Sequence, residues 1–375
     1  MRARPFALAA LLLGACELQP WDLPSGETGD NERGRTLVLT TTDHATGALV
    51  SIDTETHEVV ERALASSDAI PYVIDDLVYV VNRFGFDYVD IYDPERGWER
   101  LNQIPLALDD YPSTNPQAVA KGPEGELYVT LYGAPSLLVL DAETSGPAAI
   151  TKQIDLSEFA DADGIAESTL AIAGPEALAI SVQQIDRNAG FQPVGEDRLV
   201  IVDYATQELI DLNPNLEGVQ GLTLPGSWPR QTLPDPASED HAFILTTGIL
   251  RLNHSTRSVE WAVPESAFIE AGIGERLLPQ SFAIDDAERR AYIAAYDADF
   301  TAVSIYRAPL DGSEGLTKIS SGHHAIERTL AFVGGHLWFG TTSVGEEGML
   351  QLDIAGTPLA GPLDTGLPPY SLTTF

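Results

Sequence analysis

Six stretches of this 375-residue chain share one pattern at nearly even spacing. In "PQAVAKGPEGELYVTL" from Pro116 and "PQSFAIDDAERRAYIAA" from Pro279, a short apolar strand meets an acidic or glycine-bearing turn. A second strand rich in Tyr, Val and Ile follows. "PYVIDDLVYVV" from Pro71, "STLAIAGPEALAISV" from Ser168, "PRQTLPDPASEDHAFILTT" from Pro229 and "ERTLAFVGGHLWFG" from Glu327 repeat the pattern. The anchors at 71, 116, 168, 229, 279 and 327 lie 45, 52, 61, 50 and 48 residues apart. Units of this size cannot bury their apolar faces alone, so they must stack on one another. A four-stranded propeller blade takes about 40–50 residues, and the 61-residue interval marks one blade with insertions.

The second half of each unit repeats as well. Four apolar strands end in an Asx turn with the pattern D/N-x-x-T: Asp53 with Thr56, Asp141 with Thr144, Asp203 with Thr206, and Asn253 with Thr256. An Asx side chain at the first turn position bonds backbone N–H groups two or three residues on, which suits a tight hairpin. Short strands at even spacing with turns between them predict an all-β repeat fold. The two chain ends complete the count. The first strands, "TLVLTTTDHATGALVSIDTETHEVV", have no inner strand before them, and the carboxyl terminus, "LPPYSLTTF", begins a unit and stops. The last strand is therefore expected to complete the first blade, closing a seven-bladed β-propeller and removing two exposed sheet edges. The repeat V-A-K-G-P-E-G-E-L-Y-V-T with L-L-V-L-D-A-E-T resembles the YVTN-type and NHL-like seven-bladed propellers, including bacterial extracytoplasmic members of the YncE kind.

In such a blade, strands A to D run outward from a central channel. The A–B turns here are compact, while the B–C and D–A connections are long and varied: "RFGFDY" from Arg83, "QQIDRNAGFQPVGED" from Gln183, "YDADFT" from Tyr296, and 107–115 and 213–228. Loops freed from the repeat carry function on rigid scaffolds, so the binding surface is expected on their face. Strand A should enter the channel there at the residue after each anchor: Tyr72, Gln117, Thr169, Arg230, Gln280, Arg328 and Tyr370. These side chains either bond neighbouring blades' carbonyls and acids or contact a ligand. Arg230 and Arg328 could hold a carboxylate or phosphate bidentately. The pairs Asp43-His44 and His323-His324 are a candidate acid–base or metal cluster. No cofactor is expected; a divalent metal, calcium or zinc, is the alternative. Asp161-Ala-Asp163-Gly164 and Asp297-Ala-Asp299 read as solvated acidic turns, since Ile172 stands where a calcium loop places its glutamate. Phe84, Phe86, Tyr88 and Trp228 are expected to plug loops between blades, with an exposed rim as the alternative.

The amino terminus sets the compartment. Arg2 and Arg4, the apolar run Phe6 to Leu13, and the small residues Gly14 and Ala15 have the parts of a secretory signal peptide, too short to span a bilayer. Leu13-Gly14-Ala15-Cys16 resembles the bacterial lipobox, which implies acylation of Cys16, the only cysteine, and cleavage before it. Residues 1–15 are thus expected to be a lipoprotein signal, 16–35 a Pro-, Gly- and acid-rich tether, and 36–375 the propeller. Glu17 after the cysteine favours the outer membrane, by resemblance to other lipoproteins. A net charge of −35 excludes DNA or RNA partners. The remaining partners are the membrane, a protein or a small anionic ligand, and a monomer is expected.

The sequence carries no G-x-S-x-G, H-E-x-x-H or G-x-x-x-x-G-K-[ST]. The leading expectation is a lipid-anchored binding or scaffold module of the cell envelope, acting through its B–C and D–A loops. The alternatives are a metal-dependent hydrolase or lactonase at the channel mouth, and a role in outer-membrane protein assembly.

Overall fold

A computed structural model describes residues 34–273, 279–297, 299–324 and 328–375. The strands of the described residues form seven antiparallel sheets, each built on a four-strand path, and one two-stranded hairpin. Blade 2 is Ala69–Ile74, Leu77–Asn82, Tyr88–Asp93 and Glu99–Pro105, from the inside out. Blade 3 follows as Pro116–Lys121, Leu127–Leu131, Ser136–Leu140 and Ile150–Asp155. Blades 4 to 7 begin with Ala171–Ala173, Gln231–Asp235, Pro279–Asp285 and Leu330–Val333. Blade 1 is the composite: Pro369–Thr374 lies inside Thr36–Thr42, Gly47–Asp53 and Val59–Ala65.

The closure is antiparallel, with Leu37 opposite Thr374, Val38 opposite Thr373 and Leu39 opposite Leu372. Phe375 N–H donates to the Thr36 carbonyl at 2.8 Å, and Thr42 N–H to that of Pro368 at 2.8 Å. The chain is therefore a closed ring of seven blades, as its two ends imply.

The hydrophobic core is divided into seven clusters, one between each pair of adjacent blades. Leu37 and Leu39 pack with Ala331, Val333 and Trp338 of blade 7, while Val38 packs with Ala69, Val78 and Val80 of blade 2. In blade 3, Leu137 and Val139 face blade 4, and Leu138 and Leu140 face blade 2. Successive side chains point to opposite sheet faces, and here both faces are covered. That is why these strands are apolar runs such as "SLLVL" rather than alternating ones.

The C–D turns on the face opposite the long loops are capped as their sequences predict. Asp53 Oδ1 accepts from Thr56 N–H at 2.7 Å, Asp203 Oδ1 from Thr206 N–H at 2.8 Å, and Asn253 Oδ1 from Thr256 N–H at 2.7 Å. Asp93 and Asp311 cap the C–D turns of two other blades by accepting from the N–H two residues on, of Glu95 and Ser313, and Asp353 caps a third by accepting from Thr357 N–H, four residues on.

Blade 4 holds the insertions. A short hairpin, Ile185–Asp186 with Gln192–Pro193, fills its B–C loop. Leu222–Thr223 adds a fifth strand against Arg198–Leu199. An α-helix that the repeat pattern does not announce, Glu265–Glu270, lies in the connection from blade 5 to blade 6. Among the described residues no helix is long and apolar enough to cross a membrane. Cys16, the leader and most of the tether lie outside the described residues.

Candidate functional site

Strand A of each blade starts at the long-loop face, so the residues at its start ring one end of the channel. Part of that ring is mechanical. Tyr72 Oη donates to the Gln117 carbonyl at 2.9 Å, Thr169 Oγ1 to that of Pro229 at 3.2 Å, and Arg230 Nη1 to that of Pro279 at 2.9 Å. Each bond runs from one blade to the next. Arg328 Nη1 reaches Tyr72 Oη at 3.4 Å.

The other part of the ring opens onto a cavity of about 430 Å³. Thr169, Arg230, Gln280 and Arg328 line it, together with Arg83. Tyr72, Gln117 and Tyr370 are not in the lining; Gln117 and Tyr370 instead hold Arg83. That buried guanidinium donates through Nη1 to Gln117 Oε1 at 2.8 Å and through Nη2 to Tyr370 Oη at 2.6 Å. Its Nε donates to the Asp68 carbonyl at 2.9 Å, and Nη2 pairs with the Asp68 carboxylate. Three guanidiniums thus share one mouth in a chain of net charge −35.

Aromatic walls come from the B–C loops and the blade 4–5 connection. Tyr132, Trp228, Tyr296 and Phe300 line the cavity. Trp228 has φ of +63°, a left-handed backbone that costs about 1–3 kcal/mol at a bulky residue. Its N–H is held by Asp197 Oδ2 at 2.6 Å. The plug expectation is corrected for two residues: Phe84 and Phe86 are 70% and 52% exposed. Phe191, Phe300 and Val344 also stand out on the long loops. Tyr88 is half-buried, edge-on to Phe86 at 6.5 Å.

The Asp43-His44 and His323-His324 candidates are not brought together as a ligating group. Among the described residues no group of three or more His, Cys, Asp or Glu could hold a metal ion. Asp43 Oδ1 accepts from Ala45 N–H and Thr46 N–H at 2.9 and 2.6 Å, capping its own turn. His44 is exposed with φ of +68°. His323 bonds Ser320 Oγ at 2.7 Å and lies edge-on to Phe339. Burial lowers its pKa, as does the neighbouring His324. His324 lends its backbone carbonyl to Thr342 N–H. Asp161 Oδ1 accepts from Asp163 N–H, and Asp163 Oδ1 from Ile165 N–H, so that acidic turn bonds itself.

One carboxyl near the mouth has no signature in the repeat. Glu167, one residue before an anchor, is fully buried with φ of +34°. Arg187 of the blade 4 insertion donates from Nε to Glu167 Oε1 at 3.0 Å and lies over the Tyr132 ring at 4.9 Å. Burial pushes the Glu167 carboxyl up from its ordinary 4.5 to about 8, and Asp163 adds to that. Arg187 pulls the other way, but its side chain is 29% exposed and its charge is screened. A carboxyl raised in the folded state stabilises the fold fully below its unfolded pKa and less as pH rises toward 8. The melting temperature is expected to fall between about pH 4.5 and pH 8 and then level off. Glu167→Gln should flatten that slope in a series of thermal melts, and an unchanged slope would disprove the assignment.

No protein-family model matches the chain, and no curated protein matches it. Solved structures do. The periplasmic gluconolactonase of Pseudomonas aeruginosa aligns at a TM-score of 0.60 and 14% identity, over 90% of this chain and 98% of that one. A protein of unknown function from Desulfotomaculum acetoxidans aligns at 0.59 and 12%, over 91% and 98%. Virginiamycin B lyase from Staphylococcus aureus, solved with quinupristin, aligns at 0.53 and 11%, over 84% and 94%. At such identities the likeness establishes the fold: this chain is a seven-bladed β-propeller of the shape shared by that lactonase and that lyase.

Proposed function

We propose that the protein is a lipid-anchored extracytoplasmic propeller of the YncE-like kind that binds a small anionic ligand at its channel mouth. It then acts as a binding and scaffold module through its B–C and D–A loops. The convergence of Arg230 and Arg328 on one cavity, beside an Arg83 guanidinium already held by Asp68, Gln117 and Tyr370, carries this reading. Guanidiniums match carboxylate and phosphate oxygens in a fixed fork, and an acidic chain gains nothing general from concentrating them there. The leader, Cys16 and the tether support the anchor. Strand Thr36–Thr42 starts at the face opposite the mouth, so the tether leaves the mouth and its exposed apolar loops turned toward partners.

Titration calorimetry with succinate, benzoate and inorganic phosphate tests the reading. Binding of at least one is expected, and Arg230→Gln should weaken it about 10- to 100-fold, as for loss of a charge-assisted hydrogen bond of about 1.5–3 kcal/mol. If none binds, the reading falls. A second reading, a hydrolase or lactonase at the same mouth, is supported by the shape shared with the periplasmic gluconolactonase. Turnover of a lactone, lost in Arg230→Gln, or stoichiometric divalent metal would favour that reading.

A further inference from the structure

The arginine mouth is one half of a longer site. A second cavity of about 360 Å³ adjoins it, and Gln183, Ile185 and Trp228 wall both. The two differ in charge. The mouth holds Arg83, Arg230 and Arg328, whereas the second cavity is lined by Asp197 and Glu265, with no cationic residue in its wall among the described residues. Trp228 stands between the poles in its left-handed backbone, fixed by the Asp197 carboxylate. Glu265 opens the helix Glu265–Glu270, whose Ile269 adds an apolar patch. Together the two cavities fall within the about 300–1,000 Å³ of small-molecule sites. An anion alone would leave the Glu265 carboxylate without a counterpart, whereas Asp197 already accepts from Trp228 N–H.

We infer that this bipolar cavity binds a zwitterion, a short peptide with its α-carboxylate on the arginines, its α-ammonium toward Asp197 and Glu265, and its body against Trp228. The inference rests on the anion reading and names the ligand class for the same site. A charged amine beside carboxylates and an aromatic face gains from both, through charge-assisted hydrogen bonds and cation–π attraction. Tyr296 and Phe300 supply apolar wall for side chains at the cationic end.

Three forms of the tripeptide Ala-Phe-Ala test this by calorimetry at pH 6.5, where the α-amino group is charged. The free peptide is expected to bind. Its N-acetyl form, lacking the cation, should bind about tenfold more weakly, and its C-terminal amide, lacking the anion, at least as much more weakly. Glu265→Gln should shrink the acetyl penalty, and Arg230→Gln the amide penalty. The peptide chemistry carries the test even where a variant folds poorly. If acetylated and free peptides bind equally, the zwitterion inference is overturned while the anion site stands. It is overturned in the same way if benzoate or succinate binds and no peptide does. If neither anions nor peptides bind, both readings fall together.

Discussion

Removing residues 369–375 is expected to leave a protein that does not fold as a monomer. Those seven residues are two per cent of the chain, yet they form the whole inner strand of blade 1. Without them Thr36–Thr42, buried along its full length, becomes an open edge facing the channel. Tyr370 and Leu372 lose their burial, worth about 1.5–3 kcal/mol each. The backbone groups on the side of Thr36–Thr42 that faces the last strand, every second residue from Thr36, lose their pairing, and each lost hydrogen bond costs about 0.5–1.5 kcal/mol. The inter-blade bond from Leu372 N–H to the Arg328 carbonyl goes as well. The sum reaches the about 5–15 kcal/mol that holds an ordinary domain together. The exposed edge then invites pairing with other chains. Size-exclusion chromatography should show aggregate, and thermal melts should lose their cooperative transition. Leu372→Ala, by contrast, should cost only about 2–5 kcal/mol and leave a folded ring. A truncated protein melting within a few degrees of the full chain would mean that the ring does not depend on its closure.

The same closure shows what a sequence of this kind makes legible. Blade number, blade boundaries and the composite first blade could all be read, because every sheet is buried on both faces and so repeats as apolar runs between turn residues. The capped C–D turns were legible for four blades. Those of Asp93, Asp311 and Asp353 were missed because the threonine is replaced or displaced by one position. Of the seven residues after the anchors, Thr169, Arg230, Gln280 and Arg328 line the cavity, while Tyr72, Gln117 and Tyr370 do not. What each one touches was not legible. Asp43-His44-Ala45-Thr46 itself matches D-x-x-T, and that pattern already said that the Asp43 carboxylate caps its own turn rather than serving a metal. Glu167 and Trp228 act through backbone conformations and partners distant in sequence, which leave no periodic trace. The second cavity exists only because the insertion of blade 4 faces the helix after blade 5.

Arg83 is the extreme case, and the largest single-residue effect is expected there. It lies on a B–C loop with no repeat signature, and its partners are 15, 34 and 287 residues away in sequence. Through them one side chain ties the connection before blade 2 to the inner strands of blades 3 and 1. Tyr370 Oη also donates to Asp68 Oδ1 at 2.5 Å, so the phenol, the carboxylate and the guanidinium form one closed set. Replacing Arg83 by methionine keeps much of the volume and removes every donor. The Asp68 carboxylate is then left with the phenol, and Gln117 Oε1 and the Asp68 carbonyl lose their partners. Truncating one side of a buried ion pair costs about 3–5 kcal/mol. Asp68 is about one-third exposed, which places the expected loss near the lower end, about 3 kcal/mol. Arg83→Lys should recover less than half of it, because an ammonium cannot reach acceptors on three residues as the planar guanidinium does. A cycle with Tyr370→Phe should show coupling of at least about 1 kcal/mol between residues at opposite ends of the chain. The exposed pair of Lys121 and Asp75, 2.6 Å apart, is the control: Lys121→Ala should change stability by less than about 1 kcal/mol. Urea melts of the four single variants and of the Arg83→Met, Tyr370→Phe double variant decide the matter. If Arg83→Met is no more costly than Lys121→Ala, this buried guanidinium does not join the first and last strands of the ring, and the mouth it lines has no fixed floor.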